Sequence, residues 1–496
     1  MKKADLFDLI HSLTKAEKRY FKLYASLQSG EKKYLLLFDG IEKQKEDNED
    51  ELRSLFKKEK FVKQIHVAKN YLYNLLLKSL NVNHLESSID STLKNLINTS
   101  EILYNKGLNK QSLSILEKAH DAAGEYEDFI TILDILNRKH KLADTGEERN
   151  KLLHAETETL KKLNAFGQIS LLESRCRFLI NIPRSARNKH QNNELKQLIK
   201  DPLLNVTNKY VSFRVTTSQY NTWSFYYGSI GNMSKSILYS KKLVDLMEDS
   251  PKQMEKNPWL YIKYLTNLMI DLAASNKTED FFTVSQKLRS LITNTKIIRS
   301  DSHRMAIFVK VYSDELIVNA RLKRYDEALK LLPEIQSGLE LYDPIIPLSS
   351  KLIFYYNIAE LHFETKQFKQ ALKWINKIIH QNFHDEREDI QSFSRILNIM
   401  IHYELGNDET IEYAIRSTYR FLLKRDHLYK FELIILKFIR KLPQLRSDNL
   451  VGFYEQLRDA LKKALINTFE ASSLNYSDFI SWIDEKIGEL ESKKKR

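Results

Sequence analysis

His380 and His384 stand one helical turn apart, the spacing at which two imidazoles on one helix face can hold a metal ion. Glu360, His362 and Glu364 crowd an acid, a base and an acid into five residues, the ingredients of proton transfer. Cys176 lies between Arg175 and Arg177, and two guanidinium groups can lower a thiol pKa. Lys63, His66, Lys69 and Asn70 gather near the start of an amphipathic stretch, where they can meet a phosphate backbone. None of these groups is completed in the sequence. The histidines have no further clustered ligands, and HExxH and CxxC motifs are lacking. Gly228 and Gly231 do not form a phosphate-binding loop, and no histidine neighbours Cys176. His362 falls on an apolar stripe, where packing is the simpler role. Cys176 reads more simply as a buried helix residue. The expectation is a protein that is not an enzyme and needs no cofactor or metal.

The elements that would position these residues are helices. Only 12 Gly and 8 Pro occur in 496 residues, too few for a turn-rich β protein. Hydrophobic residues make up 42% and charged residues 29%, interleaved at helical spacing in nearly every window, so an all-α chain is expected. The net charge of +13 is spread along the chain and reads as a lysine-rich solvated surface that also permits an acidic partner or nucleic acid. A single cysteine excludes an internal disulfide framework. Asp5 and Asp8 interrupt any signal-peptide core, and no long uncharged apolar run predicts a membrane span. A cytoplasmic protein without membrane contact is expected.

Residues 1–85 read as an N-terminal helical unit. Thr14 and Glu17 form a capping box that opens a helix to about Leu27. Helices are predicted from about Lys32 to Lys45 and from Glu51 to Lys58, with the acidic stretch Glu46 to Glu51 as a loop. From Lys60 to Leu80, Ile65, Ala68, Leu72, Leu75 and Leu76 make one apolar face. A short helix, a turn and a longer helix is the order of a helix-turn-helix, which makes Lys63, His66, Lys69 and Asn70 the candidate nucleic-acid contacts. The acidic stretch would repel phosphate there. Tyr71, Leu72, Leu75, Leu76 and Leu80 need more cover than four small helices offer, so the helices that follow are the expected partner.

Residues 86–445 read as helical hairpins. The clearest unit is 354–381, with Tyr355, Ile358, Ala359 and His362 on one helix and Phe368, Ala371, Ile375 and Ile378 on the next, joined by Thr365-Lys366-Gln367. Residues 126–182 are predicted as three helices, Tyr126 to Lys141, Glu147 to Asn164 and Phe166 to Asn181, followed by a loop to about Asn193. Second-helix positions Ser236, Phe281, Ala328, Ala371 and Ile411 are separated by 45, 47, 43 and 40 residues. This unit resembles the tetratricopeptide repeat, over about residues 205–425 and more loosely over 90–200. The separations exceed that repeat's usual length, Ala359 and Ser224 stand where the family has glycine, and the closing proline is mostly missing. A related helical-hairpin array would give the same spacings.

The resemblance implies a right-handed α-solenoid whose first helices line a groove for a protein or peptide segment. The groove-facing candidates it implies are Asn221, Phe225, Ser313, Ile317, Arg321, Tyr356, Glu360, Phe363, Met400, Tyr403 and Glu404. Some family members clamp a C-terminal carboxylate, and Tyr356 with Glu360, or Ser313 with Ile317, does not match that clamp. Residues 446–496 are expected to cap the array with two helices, Leu450 to Phe469 and about Ser477 to Leu490, before the basic tail Ser492 to Arg496. The leading expectation is a protein-interaction scaffold. The alternative is a transcriptional regulator with a DNA-binding N-terminus and a repeat domain that senses a partner.

Overall fold

In a computed structural model, the structure describes residues 5–27, 32–83, 89–181, 189–207, 210–298, 300–380, 387–423, 434–435, 437–438, 450–466 and 476–494. Among them every regular element is helical and no strand occurs. The chain packs as two compact units. The first comprises Met1–Ile169, Val206–Thr217 and Asp249–Asn257, and the second Ser170–Asn205, Ser218–Glu248 and Pro258–Arg496.

The first unit begins with α1 (Asp5–Ser12), α2 (Lys15–Ser26), α3 (Lys32–Lys43), α4 (Glu49–Leu55) and α5 (Ile65–Asn83). The capping box forms as expected: Thr14 Oγ1 accepts from the Glu17 amide, and the Glu17 carboxylate accepts from the Thr14 amide. Helix α1 escaped the sequence reading because it is short and carries two aspartates. Its Leu6 and Ile10 join Phe21, Phe38, Leu52, Leu72, Leu75 and Leu76 in one core, against which Leu80 packs. The apolar face of α5 is thus covered by the helices of its own region, where the sequence pointed to the hairpins that follow. Tyr71 is the exception, 43% exposed and stacked on Tyr34.

Next come α6 (Ile89–Asn105), α7 (Asn109–Glu125), α8 (Phe129–Leu142) and α9 (Gly146–Asn181). Helix α9 runs unbroken where two helices were expected, because neither a proline nor a capping residue interrupts Ala165–Phe166–Gly167. Leu93, Leu116, Ile135 and Leu136 form a second core, covered by Leu163 and Phe166 from the first part of α9. Glu127, in the α7–α8 turn, accepts from the amides of Phe213 and Arg214 at 2.8 and 2.9 Å.

The second unit takes the end of α9 and α10 (Lys189–Leu198), a helix where the basic segment suggested a loop. It then holds most of α11 (Phe213–Ser229), with α12 (Met233–Glu248), α14 (Pro258–Ala274), α15 (Thr278–Ser290), α16 (Asp301–Arg321), α17 (Tyr325–Lys330), α18 (Leu332–Leu341), α19 (Leu348–Glu364), α20 (Phe368–Ile379), α21 (Glu388–Glu404) and α22 (Asp408–Leu423). The short α13 (Pro251–Lys256) belongs to the first unit. Pro333, in the first turn of α18, splits the expected second helix of its hairpin into α17 and α18. Two helices close the chain, α23 (Leu450–Ile466) and α24 (Tyr476–Lys494), near the predicted boundaries.

One turn recurs. Gly107, Glu127, Gly231, Asn276, Lys323, Lys366 and Gly406 all have positive φ. Around each, the following amide reaches back five residues: Leu108 N to Leu103 O, Asn232 N to Tyr227 O, Arg324 N to Asn319 O and Gln367 N to His362 O, at 2.7–2.9 Å. The left-handed residue's own amide bonds the carbonyl three residues before it, as from Lys366 to Phe363 at 2.9 Å. This is the Schellman closure of a helix C-terminus, and the next helix starts at once. The last five of these turns are spaced 45, 47, 43 and 40 residues apart, the ladder read from the sequence. Five residues after each come Ser236, Phe281, Ala328, Ala371 and Ile411, all buried.

Candidate ligand-binding face

The recurring turn supplies a common register for the first helices α14, α16, α19 and α21, which pack against one another in succession. Nine residues before the left-handed turn residue stand Asn267, Asp314 and Asn357. Asn398 stands eight before its turn. Three residues nearer the turn than the first group come Ile270, Ile317 and Glu360. Ile270 is 49% and Ile317 39% exposed, large for apolar side chains on packed helices. Lys263 and Lys310 lie four residues on the other side, and Arg321 donates to the Ala273 carbonyl at 2.6 Å.

Two polar atoms on this face are buried and find no hydrogen-bond partner among the described residues: Asp314 Oδ2 and Asn357 Nδ2. Leaving such an atom unmade costs about 1–3 kcal/mol. Burial pushes the Asp314 carboxyl up to about 6, although Lys310 and the Ser313 hydroxyl pull it down. Burial lowers Lys263, and the nearby Arg177 lowers it further. The Arg395 guanidinium, eleven residues before its turn and outside this register, lies over the Phe421 ring of α22 at 4.0 Å. The face therefore combines amides that can both donate and accept, apolar contact area, and buried charge that the chain itself leaves incompletely compensated.

The residues expected to line a groove divide in their burial. Ile317, Phe225, Glu360, Arg321, Tyr356, Tyr403 and Glu404 retain surface. Asn221, Ser313, Phe363 and Met400 are buried and do not present a surface. Asn221 donates to the Tyr264 hydroxyl at 3.3 Å, and Phe363 packs edge-on against Phe368. The same register gives both outcomes: ten residues before the turn Asn221 and Ser313 are buried and Tyr356 is half-buried, and six before it Met400 is buried and Ile317 exposed, so the local neighbours decide. Asn267, Asp314 and Asn357 were missed. Their separations, 47 and 43 residues, repeat the ladder already visible, so the register held the signal.

Phe363 and Glu404 are brought together elsewhere. With Lys323, Lys366, Trp482 and Glu485 they line a cavity of about 420 Å³. There Glu404 accepts from Trp482 Nε1 at 2.7 Å and pairs with Lys486 at 2.8 Å, while Lys366 pairs with Glu485 at 2.6 Å. Helix α24 thus already holds Glu404.

Lys69 is buried and paired with Asp47 at 3.3 Å and Glu49 at 3.7 Å, so the acidic stretch takes it out of the predicted nucleic-acid contact. Lys63, His66 and Asn70 are exposed. Glu360, His362 and Glu364 do not converge: His362 is buried with Nδ1 3.0 Å from Gln367 Oε1, Glu360 accepts from Tyr356, and Glu364 accepts from Tyr325. His402 repeats the arrangement, with Nδ1 3.0 Å from Asn407 Nδ2. Cys176 is fully buried beside Leu179 and Leu195, and its flanking arginines pair with Glu194 and Glu173. His384 and part of the basic tail lie outside the described residues. No helix among the described residues is long and apolar enough to cross a membrane. No model of a known protein family matches the chain, and no curated protein does either.

Proposed function

We propose that the chain is a non-enzymatic, cytoplasmic binding protein that holds an extended peptide or protein segment along the first-helix face of α14, α16 and α19. In this reading the hairpins stack as a right-handed tetratricopeptide-like solenoid. The observation that carries it is the register of Asn267, Asp314 and Asn357 on three consecutive first helices. An asparagine amide matches the donor and acceptor of a peptide group, and the Asp314 carboxyl between Asn267 and Asn357 accepts from a main-chain amide, so the line satisfies a main chain without demanding a particular sequence. Ile270 and Ile317 beside that line supply apolar contact for side chains. The pairing of Lys69 with Asp47 and Glu49 weighs against the DNA-binding regulator.

The test is selection from a displayed library of peptides, followed by affinity measurement on the winners. The double variant Asn267→Ala, Asn357→Ala is expected to weaken them at least tenfold, about 1.4 kcal/mol. Glu412→Ala, on an exposed part of α22, should leave them unchanged. Failure to enrich any peptide, or equal binding by the double variant, would overturn the reading.

A further inference from the structure

The α11–α12 hairpin carries a different surface. In the next hairpin, the positions eleven, eight and four residues before the left-handed turn are Leu265, Leu268 and Leu272, all buried. Here the same positions are Tyr220, Trp223 and Tyr227, and none is buried. Tyr239 of α12 joins them. Trp223, Tyr227 and Tyr239 lie 5.5–5.9 Å apart between centroids, with ring planes within 12–22° of parallel. Tyr220 is 6.0 Å from Tyr239. Two lysines attend the rings: Lys242 Nζ is 5.4 Å from Tyr220 and 5.1 Å from Tyr239, and Lys235 Nζ is 4.9 Å from Tyr227.

Three near-parallel, half-buried rings, Trp223, Tyr227 and Tyr239, with the tilted Tyr220 at their edge, form a stacking platform. A purely apolar partner would be served by leucine or isoleucine at these positions, and would gain nothing from two ammonium groups held at the ring faces. An acidic peptide would use the lysines and leave the rings idle. A duplex keeps its bases stacked on each other and offers only phosphates. We propose that this ring-and-lysine surface is a contact site for single-stranded nucleic acid, with bases stacked on the rings and phosphates at Lys235 and Lys242. Stacking of this kind tolerates any base, because every base has a π face. The chain's net charge of +13 favours the encounter.

Fluorescence polarisation of a labelled oligo-uridine of about twelve nucleotides on the full-length protein tests this. Saturable binding is expected, weakening steeply between about 50 and 200 mM salt. The double variant Lys235→Glu, Lys242→Glu should weaken it more than tenfold and reduce the salt slope by about 1.4, at 0.7 per phosphate. Tyr239→Leu should cost between about fivefold and a hundredfold. Because that change alters packing, a second readout stands beside it: the oligonucleotide should quench tryptophan fluorescence in the wild type and not in Trp223→Phe. No saturable binding at low salt, equal binding of a duplex or of polyglutamate, or indifference to the lysine variant would each overturn the proposal.

Discussion

Asp314 is a residue whose presence costs the folded chain stability. Its carboxyl is mostly buried, one oxygen has no partner among the described residues, and burial raises its pKa from 3.8 to about 6. A group whose folded pKa is raised favours the protonated folded state. Stability is therefore undiminished below about pH 3.8, falls as pH rises through 3.8 to 6, and carries the full cost above 6. At 1.36 kcal/mol per pKa unit that cost is about 3 kcal/mol. Asp314→Asn is expected to raise the unfolding free energy at about pH 7.5, by up to this amount, and to leave it unchanged near pH 3.5. Urea titrations at the two pH values decide it, and a destabilising Asp314→Asn at high pH would mean that the carboxylate is well compensated. A buried acid retained at such a cost fits a position that meets a ligand's amide or ammonium group.

At the scale of elements, the hairpins are held by one repeated turn, and its left-handed residue is the economical point of control. Gly231 and Gly406 adopt φ of 79° and 69° without a Cβ to clash, whereas Lys323 and Lys366 adopt 55° and 59° with one. A Cβ added at Gly231 would meet nothing within 4 Å, so the only obstacle to a side chain there is its own backbone. Gly231→Ala should cost about 1–2 kcal/mol, the left-handed penalty of an L-residue. Lys366→Gly relieves a penalty of that kind but adds about 0.4–1 kcal/mol of unfolded-state freedom, so it should fall within about 1 kcal/mol of wild type. Denaturant midpoints for the two variants test the contrast, and a costless Gly231→Ala would contradict the assigned turn. The sequence marked these turns at Gly107, Gly231 and Gly406 because glycine announces them. Of the others, Lys366 lies in the polar stretch Thr365-Lys366-Gln367 that the sequence offered as a turn, whereas nothing local in the sequence marks Asn276 or Lys323 as left-handed.

For the molecule as a whole, the N-terminal helices form an enclosed core of their own. Leu6, Ile10, Phe21, Phe38, Leu72 and Leu76 are essentially inaccessible, and every member of their cluster lies between residues 6 and 80. A fragment of residues 1–83 is therefore expected to be helical and to melt cooperatively, with Leu76→Ala destabilising it by about 2–5 kcal/mol. A fragment that melts without a transition would show that the adjoining helices complete the core, the cover that the apolar face of α5 had suggested.

The amino-acid sequence made legible the all-helical class, the capping box, the bounds of several helices near the two ends and the 45-, 47-, 43- and 40-residue ladder, because each rests on local chemistry: helical periodicity, capping hydrogen bonds and turn residues. It did not determine which stripe of each first helix stays open. A period of 3.6 residues sorts side chains into stripes, but neighbouring helices decide which stripe is covered. Packing closed over Asn221, Ser313, Phe363 and Met400, left Asn267, Asp314 and Asn357 half-buried, and left Ile270 and Ile317 exposed. Helix α24, about eighty residues further along the chain, claimed Glu404 through Trp482 and Lys486. Lys69 became a buried partner of Asp47 because the loop before α4 folds back onto α5. Such pairings join residues far apart in sequence, and only the tertiary structure brings them within hydrogen-bonding distance.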